Sequence, residues 1–334
     1  MQTPYQIPRY RRLQTASIGL AIVVAASAVV YWRWIHFARR PAPELSGTFS
    51  RERLLVGGRE RSFGVYVPAT LSKPTPLVVA LHGSGETGAE FRWHTGYDFD
   101  RLADEHGFVV AYPDGWERHW DDCRAAATYT ARRDHVDDVA FIHALIQRLH
   151  QTVRISDDVV FAVGHSNGAQ MAYRLALELP DEITAVAAIS AGLPAADNLD
   201  CRPRGAPISV LIMNGTADPL NPYEGGRMTI FGFGNRGNIR STADTARYFV
   251  ELDDLPPAPG LVERLDGGND SLWVERSTWS APRHVNVQLD TIHGGGHVVP
   301  EPWSRYPRVL GRTVPGFDGP AEIWHFFAGQ LAVE

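Results

Sequence analysis

Three residues of the 334-residue chain have the types needed for acyl transfer: Ser166, Asp218 and His297. Ser166 is the centre of Gly164-His165-Ser166-Asn167-Gly168, a Gly-x-Ser-x-Gly pattern. A lone serine hydroxyl is a weak nucleophile. It needs a histidine to take its proton and a carboxylate to orient that histidine. Asp218 stands in Asn214-Gly215-Thr216-Ala217-Asp218-Pro219, and His293-Gly294-Gly295-Gly296-His297 follows it in the chain. Two histidines are therefore available as the base. His297 is the expected one, because glycines let a loop fold back over the serine, whereas His293 is held at a strand terminus. His82-Gly83-Ser84 offers a backbone approach to an oxyanion. The N–H groups of Ser84 and Asn167 are the expected donors, each worth on the order of 3 kcal/mol in the transition state.

These groups work only if secondary structure brings them to one edge. The apolar run Val159–Val163 ends abruptly at Gly164, and helical periodicity begins just after Ser166. Strand, sharp turn and helix form the context that gives Gly-x-Ser-x-Gly its meaning. Leu77–Leu81 is a continuous apolar run suited to a buried parallel strand. Phe108–Tyr112, Ile183–Ser190, Ile208–Met213 and Val285–Ile292 read as further strands. Helical patterns cover about Tyr97–His106, Val136–Thr152, the stretch after Ser166 to Leu179, and Pro320–Leu331. Arg51–Val56 and Arg61–Val67, separated by Gly57-Gly58, read as a hairpin. Strands alternating with helices predict a doubly wound, mostly parallel sheet with helices on both faces and a site at the strands' carboxyl ends. Ser166, Asp218 and His297 each follow such a strand. Asp137-Asp138, ahead of a helix, reads as a cap rather than a metal pair.

The net charge of −6 gives no nucleic-acid-binding face. Neither a metal site nor a cofactor motif stands out, and the oligomeric state is not legible. Cys123 and Cys201 are too few for a disulfide framework. In an oxidising compartment they can pair; otherwise they are free thiols. Residues 1–15 form a basic N-terminal segment with Arg9, Arg11 and Arg12. Residues 16–32 are apolar, and the linker 33–45 contains Arg40-Pro41-Ala42-Pro43. The apolar stretch reads as a transmembrane anchor, or as a signal segment cleaved after Ala26-Ser27-Ala28. The anchor is the preferred reading because apolar character continues through Val29-Val30. The product would face the extracytoplasmic side, or be secreted or periplasmic after cleavage. Residues 46–334 are then the catalytic domain.

Several stretches together resemble a known family: Leu81-His82-Gly83-Ser84, Tyr112-Pro113-Asp114-Gly115, Val136–Ile142, Gly164–Ala169, Gly215–Pro219 and Gly294–His297. The chain is similar to polyhydroxybutyrate depolymerases and feruloyl-esterase-like carboxylesterases of the α/β-hydrolase superfamily. That resemblance implies an α/β-hydrolase fold and a serine esterase with Ser166 as nucleophile, Asp218 as orienting acid and His297 as base, without cofactor. It further implies substrate contacts from His82, His165 and Tyr223 and a small or oligomeric ester as partner. The triad by itself fixes only acyl transfer, so a peptidase, an acyltransferase or a silent binding protein on the same fold are the alternatives. Relatives of this kind continue Gly-Gly-Gly-His-x-Trp-Pro, whereas this chain has Val298-Val299-Pro300.

Overall fold

The computed structural model describes residues 9–37, 40–156, 158–281, 285–302 and 306–331, with only the backbone described for 9–19 and 266–268. The expected basic segment 1–15 thus falls largely outside the described residues. Helix α1, Arg9–Val30, continues into a short π-helical turn, Tyr31–Ile35. The apolar side chains of Leu20, Ile22, Val23, Val24, Val29 and Val30 are exposed. Among the described residues no helix is long and apolar enough to cross a membrane. The basic start of α1 leaves an apolar part of about 15 residues, a rise of only ~22 Å.

The hairpin of β1 (Thr48–Val56) and β2 (Arg59–Val67) opens the folded body, followed by β3 (Leu77–Leu81). Next come α2 (Gly88–His94), α3 (Asp98–His106), β4 (Val109–Pro113), the single turn α4 (Thr130–Arg133) and α5 (Asp138–Thr152). Strand β5 (Val160–His165) leads into α6 (Asn167–Glu178), then β6 (Ala185–Ile189) and β7 (Ser209–Gly215). A small ribbon pairs β8 (Gly226–Arg227) with β9 (Asn238–Ile239) ahead of α7 (Thr242–Leu252). Strands β10 (Leu261–Asn269), β11 (Leu272–Ser280) and β12 (Asn286–His293) precede α8 (Gly319–Gly329).

Ten strands form one sheet in the order β1-β2-β4-β3-β5-β6-β7-β12-β11-β10. The six central strands from β4 to β12 are parallel, and antiparallel hairpins close both edges. Successive residues of a strand point to opposite faces, and the core divides accordingly. Leu77, Val79, Leu81, Val160 and Ala162 pack with α5, α6 and α7, through Phe141, Met171 and Phe249. Val78, Ala80, Phe161 and Val163 pack with α2, α3 and α8, through Phe91, Phe99, Trp324 and Phe327. The doubly wound reading therefore holds for the centre. The edge hairpin β10–β11 and helices α2 and α7 were not foreseen. Val299, near where the relatives carry Trp, is buried in the second of these core layers. Asp137 caps α5 by accepting from the Ala140 N–H at 2.8 Å, as expected of it. Asp138 is buried and instead receives Arg61 Nη2 at 2.6 Å and the Asp121 N–H at 2.7 Å.

Candidate active site

Ser166 sits between β5 and α6 with φ 57° and ψ −116°, a backbone conformation costly for any residue with a Cβ. The turn is this sharp because the helix returns directly against the sheet. A Cβ on Gly164 would strike the backbone of Gly168, and one on Gly168 would strike the carbonyls of Leu81 and His82. Glycine at both positions is thus a packing requirement of the elbow. The Ser166 N–H donates to Ile189 O at 2.9 Å, which fixes the turn to β6.

Asp218 lies in the turn after β7. Its Oδ1 accepts from the N–H groups of Leu220 and Asn221, both at 2.8 Å, and its Oδ2 meets His297 Nδ1 at 2.8 Å. Three donors on one carboxylate fix it in place. His297 reaches it because the loop after β12 doubles back. Gly294 has φ +70°, and a Cβ on Gly296 would collide with Leu310 O. The Gly296 N–H donates to Arg312 O at 2.9 Å and the His297 N–H to Leu310 O at 2.6 Å, so residues 308–312 brace the loop from outside. His293 faces elsewhere, its ring stacked on Trp273 at 3.9 Å between centroids.

Ser166, His297, His165 and Ser84 line one cleft of about 170 Å³, with Leu220, Met228, Ile230 and Leu310 as its apolar wall. Ser166 Oγ has no hydrogen-bond partner among the described residues; in substrate-free sites a serine–histidine contact is commonly long and tightens on binding. The Gly83 N–H is taken by Glu86 Oε2 at 3.1 Å. The N–H groups of Ser84 and Asn167 have no partner among the described residues. Burial pushes the Glu86 carboxyl up, but the hydrogen bond and charge of His94, with His165 and His82 nearby, bring it down to about 2. Burial, and then the neighbouring His297, push His165 down to about 3, so its imidazole is neutral at ordinary pH.

Of the three expected substrate contacts, only His165 lines the cleft. His82 is fully buried. Its Nδ1 bonds Gly83 O at 2.7 Å and its Nε2 accepts from the Gly115 N–H at 2.9 Å. With both ring nitrogens spent on backbone, it shapes the loop that starts at Gly83 and has nothing left for substrate. Tyr223 bonds Thr291 Oγ1 at 2.8 Å through its hydroxyl and lies outside the cleft lining. Burial raises its phenol above the ordinary value.

Sequence reading missed Glu86, Leu220, Met228, Ile230, Arg236 and Leu310 in this lining. No motif marks them; they come from loops that only tertiary packing assembles. One of those loops, residues 114–129, crosses behind the elbow. The Trp120 N–H donates to Asn167 Oδ1 at 2.8 Å, and Asn167 Nδ2 donates to Asp122 Oδ2 at 2.6 Å. Trp120 Nε1 donates to His82 O at 2.9 Å. Cys123 in this loop is disulfide-bonded to Cys201, with the Cα atoms 4.9 Å apart.

A central parallel sheet, a strained strand-to-helix elbow and loops gathered at the carboxyl ends of the strands define an α/β-hydrolase. The acetyl xylan esterase from Aspergillus awamori superposes on the same fold with a TM-score of 0.52 at 18% identity, covering 75% of this chain and 95% of its own. The chain belongs to the esterase family whose model, described as "Putative esterase", matches residues 56–298. It is 33% identical over 301 residues to "Putative esterase NocK" of Nocardia uniformis subsp. tsuyamanensis, covering 86% of this chain and 85% of that one. It is 26% identical to "Probable feruloyl esterase C" of Aspergillus niger, covering 85% of this chain and 91% of the other. The protein is accordingly a carboxylic ester hydrolase.

Proposed function

We propose that this esterase acts through Ser166 as nucleophile, His297 as general base and Asp218 as the group that orients the base. The observation that carries the reading is the His297 Nδ1 to Asp218 Oδ2 bond of 2.8 Å, formed beside the cleft that the strained Ser166 also lines. His297 Nε2 takes the Ser166 proton as Oγ attacks the ester carbonyl. The N–H groups of Ser84 and Asn167 hold the oxyanion. Protonated His297 then gives its proton to the leaving alkoxide, and water, activated in turn by His297, releases the acid from the acyl-enzyme. Each step uses protein groups and water.

Residues 46–334 form the catalytic unit in this reading. A cleft of about 170 Å³ with apolar walls suits a compact acyl group, aliphatic or aromatic. The apolar segment 16–32 directs the chain out of the cytoplasm, as cleaved signal or retained anchor. The Cys123–Cys201 bond supports that placement, since such bonds persist in oxidising compartments.

Ser166→Ala tests the reading. It should lower kcat on 4-nitrophenyl butyrate by on the order of 10⁶ while leaving the circular dichroism spectrum unchanged. A fluorophosphonate should label the wild type once, at Ser166. Labelling at another residue, or full activity in the variant, would remove Ser166 from the reaction.

A further inference from the structure

Besides its apolar wall, the cleft presents a cation. Arg236 lines it, carried on the segment between β8 and β9. Its backbone is tied down from both sides: the Arg236 N–H donates to Met228 O at 3.1 Å, and Arg236 O accepts from Asn198 Nδ2 at 3.0 Å. Its side chain is also held, Nε donating to Tyr129 Oη at 2.8 Å. The two terminal nitrogens have no hydrogen-bond or carboxylate partner among the described residues. Other arginines nearby are neutralised. Arg124 is paired with Asp122, Arg118 with Glu90, and Arg132 with Asp121 and Asp200. The two carboxylates of the site are likewise committed, Glu86 to His94 and the Gly83 N–H, Asp218 to His297.

Tyr129 extends the arrangement toward the reacting centre. Its hydroxyl is bonded to Ser84 Oγ at 3.0 Å, and Ser84 supplies one of the proposed oxyanion N–H groups. The phenol and the guanidinium therefore stand side by side on the cleft wall, pre-positioned by Ser84, Asn198 and Met228. A guanidinium fixed through Nε with its terminal N–H groups unmet is matched by a planar anion, which it can bind with two parallel charge-assisted hydrogen bonds.

We propose that Arg236, with Tyr129 beside it, binds a carboxylate on the substrate, so that the preferred esters carry a negative charge a few bonds from the scissile carbonyl. The inference rests on the esterase reading of the cleft and names its substrate class.

Matched esters test it: 4-nitrophenyl butyrate against the 4-nitrophenyl half-ester of glutaric acid, which differs chiefly by a terminal carboxylate on the acyl side. Wild type should favour the charged ester in kcat/KM, and added salt should erode that preference. Arg236→Gln should lower the ratio of charged to neutral kcat/KM by roughly ten- to a hundred-fold. Arg236→Lys, which keeps the charge but loses the fork, should recover only part of it. The loss should appear mainly in KM. A binding measurement is independent of turnover: glutarate titrated calorimetrically into Ser166→Ala should bind, and adding Arg236→Gln should abolish the heat. If the ratio stays within two-fold of wild type in variants that melt normally, or if glutarate binds equally with and without Arg236, the assignment is wrong. A wild type that hydrolyses neither ester yet binds glutarate through Arg236 would overturn the catalytic reading and leave the anion site standing.

Discussion

His293 and His297 are four residues apart, yet only His297 meets a buried carboxylate as the proposed base requires. His297 is nearly fully buried with Nδ1 on Asp218, which fixes its tautomer and leaves Nε2 as the basic nitrogen. His293 is partly exposed, stacked on Trp273, with Nε2 3.9 Å from Glu275. His297→Ala should abolish ester hydrolysis with little change in melting temperature, whereas His293→Ala should keep most of it. The reverse outcome would transfer the role of base to His293. The pH profile of kcat/KM gives a second readout. His165 is held neutral by burial first and by His297 second, its imidazole pushed down to about 3. It is therefore uncharged on both sides of the acid limb, and His165→Asn should leave the position of that limb unmoved even if turnover falls. The three catalytic candidates were legible because each is a chemical type in a recognisable turn. Arg236 was not, since nothing in its local sequence says that two distant loops meet.

At the scale of elements, β3 is matched residue for residue by its apolar run, because a strand buried on both faces has no alternative pattern. Helix α2 was not foreseen, because the glycines of 83–88 mask the Thr87–Glu90 capping box that starts it. Strands β10 and β11 sit at the sheet edge, where exposed and buried positions mix and the apolar signal fades. The loop 114–129 escaped assignment for a similar reason, although it braces the elbow through Asn167. Its anchor is the Cys123–Cys201 bond, which closes a separation of 78 residues. Cys201→Ser should lower stability by about 2–5 kcal/mol, read as a fall in the unfolding midpoint, and should remove the wild type's sensitivity to reductant. Because Trp120 and Asp122 hold the Asn167 side chain, the same variant should also lose part of its kcat at temperatures where it remains folded. Unchanged melting on reduction would mean that the loop is secured without the bond.

For the molecule as a whole, the N-terminal helix stands apart in what its described side chains face. Its apolar side chains from Leu20 onward face outward, whereas Phe37, just beyond it, packs against Trp93, His94 and Tyr306. If the segment is a retained anchor, the intact protein should sediment with membranes and resist carbonate extraction. A soluble product whose mass begins at Val29 would establish cleavage instead. The sheet order carries a separate consequence, one of time. Strand β12 enters next to β7 only after the β10–β11 excursion, and the loop carrying His297 is braced by Leu310 and Arg312. The proposed nucleophile is thus synthesised well before its proposed base can be seated. At ~5–20 residues per second, a ribosome finishes the elbow many seconds before it reaches the brace. With Ser166 and His297 in the proposed roles, esterase activity should switch on only once the last quarter of the polypeptide has folded into place.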